Sequence, residues 1–139
     1  MDINSISFLL DALRAAGLRL TPQRLAIVEC FATDQTHPTA QELHERLRER
    51  FPTMSVATVY NTLSALGSIG HCRQLDMGGP CRFDPNVAPH DHAVCEHCGA
   101  IRDVELEAPS HPARELPDFE VARVERIYRG ICAHCAAVA

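Results

Sequence analysis

Apolar residues recur at helical spacing through the first half of the chain and give way to short, alternating runs in the second. Ile6, Leu9, Leu10, Leu13 and Ala16 trace one face of a first helix, which Gly17 ends. Thr21 before Pro22 marks the start of a second: the hydroxyl can cap free N–H groups, and the missing proline N–H costs nothing in a first turn. Its inner stripe is Leu25, Val28 and Phe31. Thr39 and Glu42 form a capping box for a third helix carrying Leu43, Leu47 and Phe51, with Pro52 just past its end. Ser55 caps a fourth, with Val56, Val59, Leu63 and Leu66 inward and Gly67 and Gly70 closing it.

Two strand-like runs follow, His71 to Met77 and Cys81 to Asp84, joined through Gly78 and Gly79 as a hairpin. Helices followed by a small hairpin is the order of a winged helix-turn-helix. Beyond it, His92 to Glu96 and Ala100 to Glu105 read as strands either side of a Cys-x-x-Cys-Gly turn. Pro109, Pro112 and Pro117 leave room only for a short helix between Ala108 and Asp118, and Phe119 to Cys132 reads as a longer strand. The pattern predicts an α+β chain with a winged helix over residues 1–84 and a small α/β unit over residues 85–139. The prolines and asparagine between Asp84 and Pro89 mark the boundary. A second unit that small needs a metal, disulfides or a partner chain to be stable.

Among the 139 residues no apolar run is long enough for a membrane span. Asp2 precedes the first apolar stretch and no small-residue cleavage site follows, so the N-terminus does not read as a signal peptide. A cytoplasmic location is therefore expected. Thiols stay reduced there, so the seven cysteines point to metal binding or redox chemistry. The net charge of −5 argues against nucleic-acid binding, but it divides as −1 over residues 1–84 and −4 over residues 85–139. The first half can still present a basic face.

No charged residue occurs from Ser55 to Gly70. The outward positions Ala57, Thr58, Asn61, Thr62 and Ala65 are small or carry an amide, which suits close approach to a major groove. Tyr60 adds an apolar contact and a phosphate hydrogen bond to that reading. The alternative is a helix buried on both sides. The capped helix before it and the hairpin after it favour the DNA reading, because a helix-turn-helix places its second helix in the groove. Arg19, Arg24, Arg46, Arg48 and Arg50 are candidates for phosphate contacts, each against the plainer reading of a solvated charge.

Cys95-x-x-Cys98 and Cys132-x-x-Cys135 are the strongest signal. Two such pairs make a tetrahedral four-thiolate shell for structural Zn(II), in the unit that most needs a staple. A zinc finger with two histidines lacks its fourth ligand: His111 has the spacing, but no histidine lies at positions 115–117. A dithiol redox pair is the remaining alternative. Cys30, Cys72 and Cys81 stand alone and read as small hydrophobes. His90-Asp91-His92 puts two imidazoles on one side of an extended chain, with Asp84 upstream, Asp103 on the neighbouring strand and His37 before the third helix. A mixed imidazole and carboxylate shell suits Mn(II), Fe(II) or Zn(II), although His-x-His pairs are often merely solvated. His44, His71, His97, His111 and His134 are left as structural or exposed.

Five segments together resemble the ferric uptake regulator (Fur) family. They are Gly17-Leu-Arg-Leu-Thr-Pro-Gln-Arg24, His37-Pro-Thr-Ala40, Phe51-Pro-Thr-Met-Ser-Val-Ala-Thr-Val-Tyr-Asn61, Arg82-Phe-Asp84 and His90-Asp-His-Ala-Val-Cys-Glu-His-Cys-Gly99. The resemblance implies an N-terminal winged helix, a small C-terminal α/β dimerisation domain, a homodimer, and metal-controlled binding to double-stranded operator DNA. It implies a repressor and no enzymatic activity.

Within the family, His37, Asp84, His90, His92 and Asp103 are similar to the regulatory Fe(II) or Mn(II) site of the peroxide-sensing branch, and Asp103 in place of Glu matters most for that assignment. Thr58 to Asn61 is also similar to that branch. Such proteins lose DNA when Fe(II) and peroxide oxidise the matching histidines, here His37 and His90. The resemblance implies a minor-groove contact for Arg19 and a base contact for Tyr60; with Ser55, Ala57, Thr58 and Asn61 of the fourth helix they make the expected DNA-contacting set. Arg123 and Val124 stand where family members often carry a further histidine, which puts an additional metal site in doubt. The alternatives are an iron- or manganese-responsive repressor without peroxide sensing, a metalloenzyme and a purely structural zinc protein. An enzyme is disfavoured because no spare general base stands beside an open metal position.

Overall fold

The computed structural model describes residues 3–88, 90–105, 116–121 and 124–138. The chain divides into two compact units, Met1–Val87 and Ala88–Ala139.

The first unit holds helices α1 (Ile3–Ala15), α2 (Pro22–Ala32), α3 (Ala40–Leu47) and α4 (Val56–Ser68), then strands β1 (Arg73–Leu75) and β2 (Arg82–Asp84). The caps are local and follow the sequence. The side chains of Thr21, Thr39 and Ser55 accept from the N–H groups of Arg24, Glu42 and Thr58 at 3.2, 3.1 and 3.1 Å. At the end of α1, Gly17 has φ +91°, with Gly17 N donating to Arg14 O and Leu18 N to Leu13 O. A β-carbon is disfavoured in that left-handed geometry, so glycine ends the helix.

Leu13, Ile27, Val28, Phe31, Leu43, Val59, Leu63, Leu66 and Phe83 form the buried centre of this unit. The antiparallel β1–β2 hairpin, in register Arg73↔Asp84 to Leu75↔Arg82, completes a winged helix. Burial corrects several expected stripe positions. Ala16 is exposed beyond the end of α1, and Leu25 is 37% exposed because Ile27, Val28 and Phe31 take the inward arc of α2. Val56, at the first position of α4, is 36% exposed. Thr62 is fully buried rather than outward, which it tolerates because its hydroxyl donates to Thr58 O at 2.8 Å. Ala65 is partly buried against the core, not outward. Helix α3 stops at Leu47, short of Phe51, which packs half-buried against the core.

The second unit holds strands β3 (Asp91–Cys95), β4 (Ile101–Val104) and β5 (Ile127–Gly130) and helix α5 (Ala133–Val138). The sheet order is β4-β3-β5, with β3 antiparallel to β4 and parallel to β5. Strand β5 is shorter than the expected run from Phe119 to Cys132: Leu116 and Phe119 close a separate turn, in which Asp118 has φ +62°. Helix α5 has no counterpart among the expected elements; six residues are too few for apolar periodicity to register. Pro109, Pro112, His111 and Arg123 lie outside the described residues.

Candidate metal centres and DNA-reading helix

Cys95 ends β3 and Cys98 lies in the turn to β4, while Cys132 immediately precedes α5 and Cys135 lies in its first turn. Their four sulfurs lie within 4.8 Å of one another, and Cys98 Sγ is 3.9 Å from Cys132 Sγ. A tetrahedron with Zn–S bonds near 2.3 Å has S···S edges of roughly 3.8 Å, so the cluster has the dimensions of a zinc shell. Amide groups point into it: Cys132 N and Cys98 N donate to Cys95 Sγ at 3.3 and 3.5 Å. They lower the Cys95 pKa to about 5. Cys135 is pushed up to about 12, first by its hydrogen bond with Cys132 and then by desolvation. Four thiolates cannot share this space without a cation to offset their repulsion, and a divalent ion fits that need. Cys72 is also pushed up to about 12, there by burial alone in the main, which makes it an unreactive core thiol.

The histidines and acids form one group in each unit. In the first, the loop before α3 carries His37 and strand β2 carries Asp84, with His37 Nε2 3.5 Å from Asp84 Oδ2. Both side chains are buried, and His37 has φ +56°, a left-handed backbone costing roughly 1–2 kcal/mol for a residue with a β-carbon. In the second, His90 and His92 bracket Asp91 at the start of β3. The alternation of the strand turns Asp91 away, where its carboxylate accepts from Arg126 N and Nε at 3.2 and 3.1 Å. His90 and His92 instead face Asp103 Oδ1 at 3.2 and 3.5 Å.

His90 Nδ1 lies 2.6 Å from the Ala88 carbonyl, which can only accept, so this nitrogen carries the hydrogen. The opposite nitrogen then turns a lone pair toward a carboxylate oxygen. Two acceptors at that distance need a proton or a metal cation between them. Each group thus offers imidazole nitrogen and carboxylate oxygen, a donor set that fits Mn(II), Fe(II) or Zn(II).

Helix α4 presents Ala57, Tyr60 and Asn61 to solvent, with Thr58 half-buried and Ser55 at the cap. Tyr60 is 44% exposed and meets the Phe83 ring edge-on at 6.0 Å between centroids. The exposed face rules out a helix buried on both sides. Arg19 is exposed, and its carbonyl accepts from the Arg24 guanidinium. Arg46 is engaged with the buried carboxylate of Asp34, Arg48 pairs with Glu45 at 3.3 Å, and Arg50 covers the Phe51 ring at 5.2 Å. His44, which spacing alone leaves without a role, bonds through Nε2 to Met54 O at 2.7 Å and ties α3 to the loop that opens α4. Among the described residues no helix is long and apolar enough to cross a membrane.

Comparison with known proteins agrees with this architecture. The sequence model of the Ferric uptake regulator family matches residues 15–125. The peroxide-responsive repressor PerR of Staphylococcus aureus (strain Mu50) is 38% identical over 143 residues, covering 97% of each chain. PerR from Streptococcus pyogenes is similar in structure with a TM-score of 0.54 at 32% identity, over 94% of this chain and 92% of that one. The Helicobacter pylori ferric uptake regulator Fur shares the fold with a TM-score of 0.75 at 20% identity, over 98% of this chain and 95% of that one. The chain belongs to the ferric uptake regulator family, a family of metal-responsive transcriptional regulators and not of enzymes.

Proposed function

We propose that the protein is a dimeric repressor of the peroxide-sensing kind, which binds operator DNA when metal-loaded and releases it after oxidation of His37 or His90. The observation that carries this reading is the pair of histidine–carboxylate groups, His37 with Asp84, both buried, and the buried His90 and His92 with the more exposed Asp103. In this reading all five residues bind a single ion, so loading joins the winged helix (residues 1–84) to the dimerisation domain (residues 85–139). Half-site spacing on DNA is a rigid demand, and an ion that favours one arrangement of the two reading helices by about 5.5 kcal/mol moves a 1:99 population to 99:1. Cys95, Cys98, Cys132 and Cys135 hold a separate structural Zn(II). Arg19, Ser55, Ala57, Thr58, Tyr60 and Asn61 form the DNA-contacting set. A cytoplasmic location accords with free thiols and exchangeable metal.

Fe(II) held by these residues would activate peroxide beside the imidazoles, with the oxidised imidazole supplying both electrons overall. His37 and His90 are buried and held against carboxylates, so an oxidant generated there meets them before bulk solvent. One oxygen atom of hydrogen peroxide enters an imidazole ring and the other leaves as water. The Staphylococcus aureus relative is a peroxide-responsive repressor, which favours this reading over one limited to iron or manganese levels.

The test is operator binding by zinc-loaded protein with Fe(II) or Mn(II), before and after peroxide. The Fe(II) form should release DNA with one oxygen gained on His37 or His90, and the Mn(II) form should persist. Loss of DNA binding with cysteine oxidation alone would replace this mechanism with a thiol switch. Persistence of both forms would leave a repressor responding to metal level only.

A further inference from the structure

Arg82 and His37 are 45 positions apart, yet the wing strand brings the arginine to the backbone of the histidine. Arg82 Nη1 donates to the His37 carbonyl at 3.0 Å and lies 3.4 Å from Glu42 Oε1 in the first turn of α3. Strand β2 holds the following residues too: Thr39 bridges to Arg82, and Phe83 N donates to the Pro38 carbonyl at 2.9 Å. The segment under this clamp begins at the left-handed His37, a conformation that persists only where the surroundings impose it. Alternate residues of a strand share a face, so Arg82 and Asp84 project to the same side of β2.

We propose that Arg82 is a positioning residue for the regulatory metal: it fixes the His37 backbone and thereby aims the imidazole at the position beside Asp84. The proposal rests on the reading of His37 and Asp84 as ligands. Arg82 itself makes no bond to the ion. Its charge is paired with Glu42, and it acts through hydrogen-bond geometry. This separates it from a simple electrostatic effect, since removing a cation from the neighbourhood of a metal site should tighten metal binding, whereas loss of a positioning bond should loosen it.

Both contacts come from the same nitrogen, so a lysine ammonium can reproduce them while methionine keeps only the apolar stem. Zinc-loaded full-length protein is titrated with Mn(II) as wild type, Arg82→Met, Arg82→Lys and His37→Ala, with zinc content and thermal midpoint measured alongside. Arg82→Met should weaken Mn(II) binding by about 10–100-fold and Arg82→Lys by no more than about threefold, with zinc content unchanged and the thermal transition still cooperative. Wild-type affinity or tighter in Arg82→Met, with His37→Ala weakened, overturns the proposal and leaves His37 as a ligand. Equal weakening by Met and Lys also overturns it, because the donor would not be what matters. Wild-type affinity in His37→Ala overturns instead the ligand assignment beneath it. If Arg82→Met does not fold, Glu42→Gln decides: loss of the charge that holds Nη1 should weaken Mn(II) binding by about 2–5-fold, and unchanged affinity overturns the proposal.

Discussion

Asp103 stands directly across the β3–β4 ladder from His92, and one of its oxygens faces both His92 Nε2 at 3.5 Å and His90 Nε2 at 3.2 Å. One carboxylate oxygen therefore closes the group that two strand-alternate imidazoles open. Replacing it with the amide of Asn removes the charge and keeps the shape. Asp103→Asn should lower regulatory Mn(II) affinity by at least about tenfold while leaving zinc content unchanged. Calorimetric titration of zinc-loaded protein reads this, and an unchanged affinity would remove Asp103 from the ligand set.

The sulfur cluster joins the β3–β4 turn to α5 within the second unit. Cys95→Ser and Cys132→Ser should each lose tightly bound zinc and lower the thermal stability of that unit, because zinc binding free energy is there folding free energy. Metal analysis beside a thermal melt checks both. A fully zinc-loaded, equally stable protein in both variants would contradict a structural zinc role.

Tyr60 and Asn61 lie on the exposed face of α4, away from the core residues Val59, Leu63 and Leu66. Tyr60→Ala and Asn61→Ala should each cost roughly 1–3 kcal/mol in specific operator binding and much less in nonspecific binding. Arg19→Ala should weaken all DNA binding and reduce the salt slope by about one. Titrations at several salt concentrations separate these effects. Wild-type operator affinity in both helix variants would assign the reading role elsewhere.

Asp34 gives a pH signature independent of metal. Burial raises its pKa, but hydrogen bonds from Thr36 and the Arg46 guanidinium outweigh that and hold it below the usual carboxylate range. A depressed folded-state pKa stabilises the fold above the unfolded value of about 3.9, and the contribution disappears as pH falls through the folded pKa. Asp34→Asn should therefore cost roughly 1–3 kcal/mol at neutral pH, and less as the pH drops below about 4. Thermal melts of both proteins across that range measure the gap. A gap that stays constant would show that the charge on Asp34 contributes nothing.

The caps at Thr21, Thr39 and Ser55 were legible in the sequence because capping is decided within four residues. Which arc of each helix turns inward was less so. Leu25, Val56 and Thr62 all have the spacing of a face, but the arc actually buried depends on where the neighbouring helices lie. Strand β5 and helix α5 were hard to read for another reason: short elements give too few periods for a pattern.

The residues of the candidate sites divide along the same line. Cys-x-x-Cys spacing and the His-x-His alternation were decided by the sequence alone, since a tight turn and an extended strand fix which neighbouring side chains converge. The approach of Cys98 to Cys132, the ladder register that sets Asp103 opposite His92, and the reach of Arg82 to the His37 carbonyl were decided only by the tertiary structure. Cys98 and Cys132 are 34 positions apart and Arg82 and His37 are 45 apart, while His92 and Asp103 meet only through the register of the turn between them. Such contacts form only when packing and strand pairing have brought the segments together, and no local spacing encodes that distance.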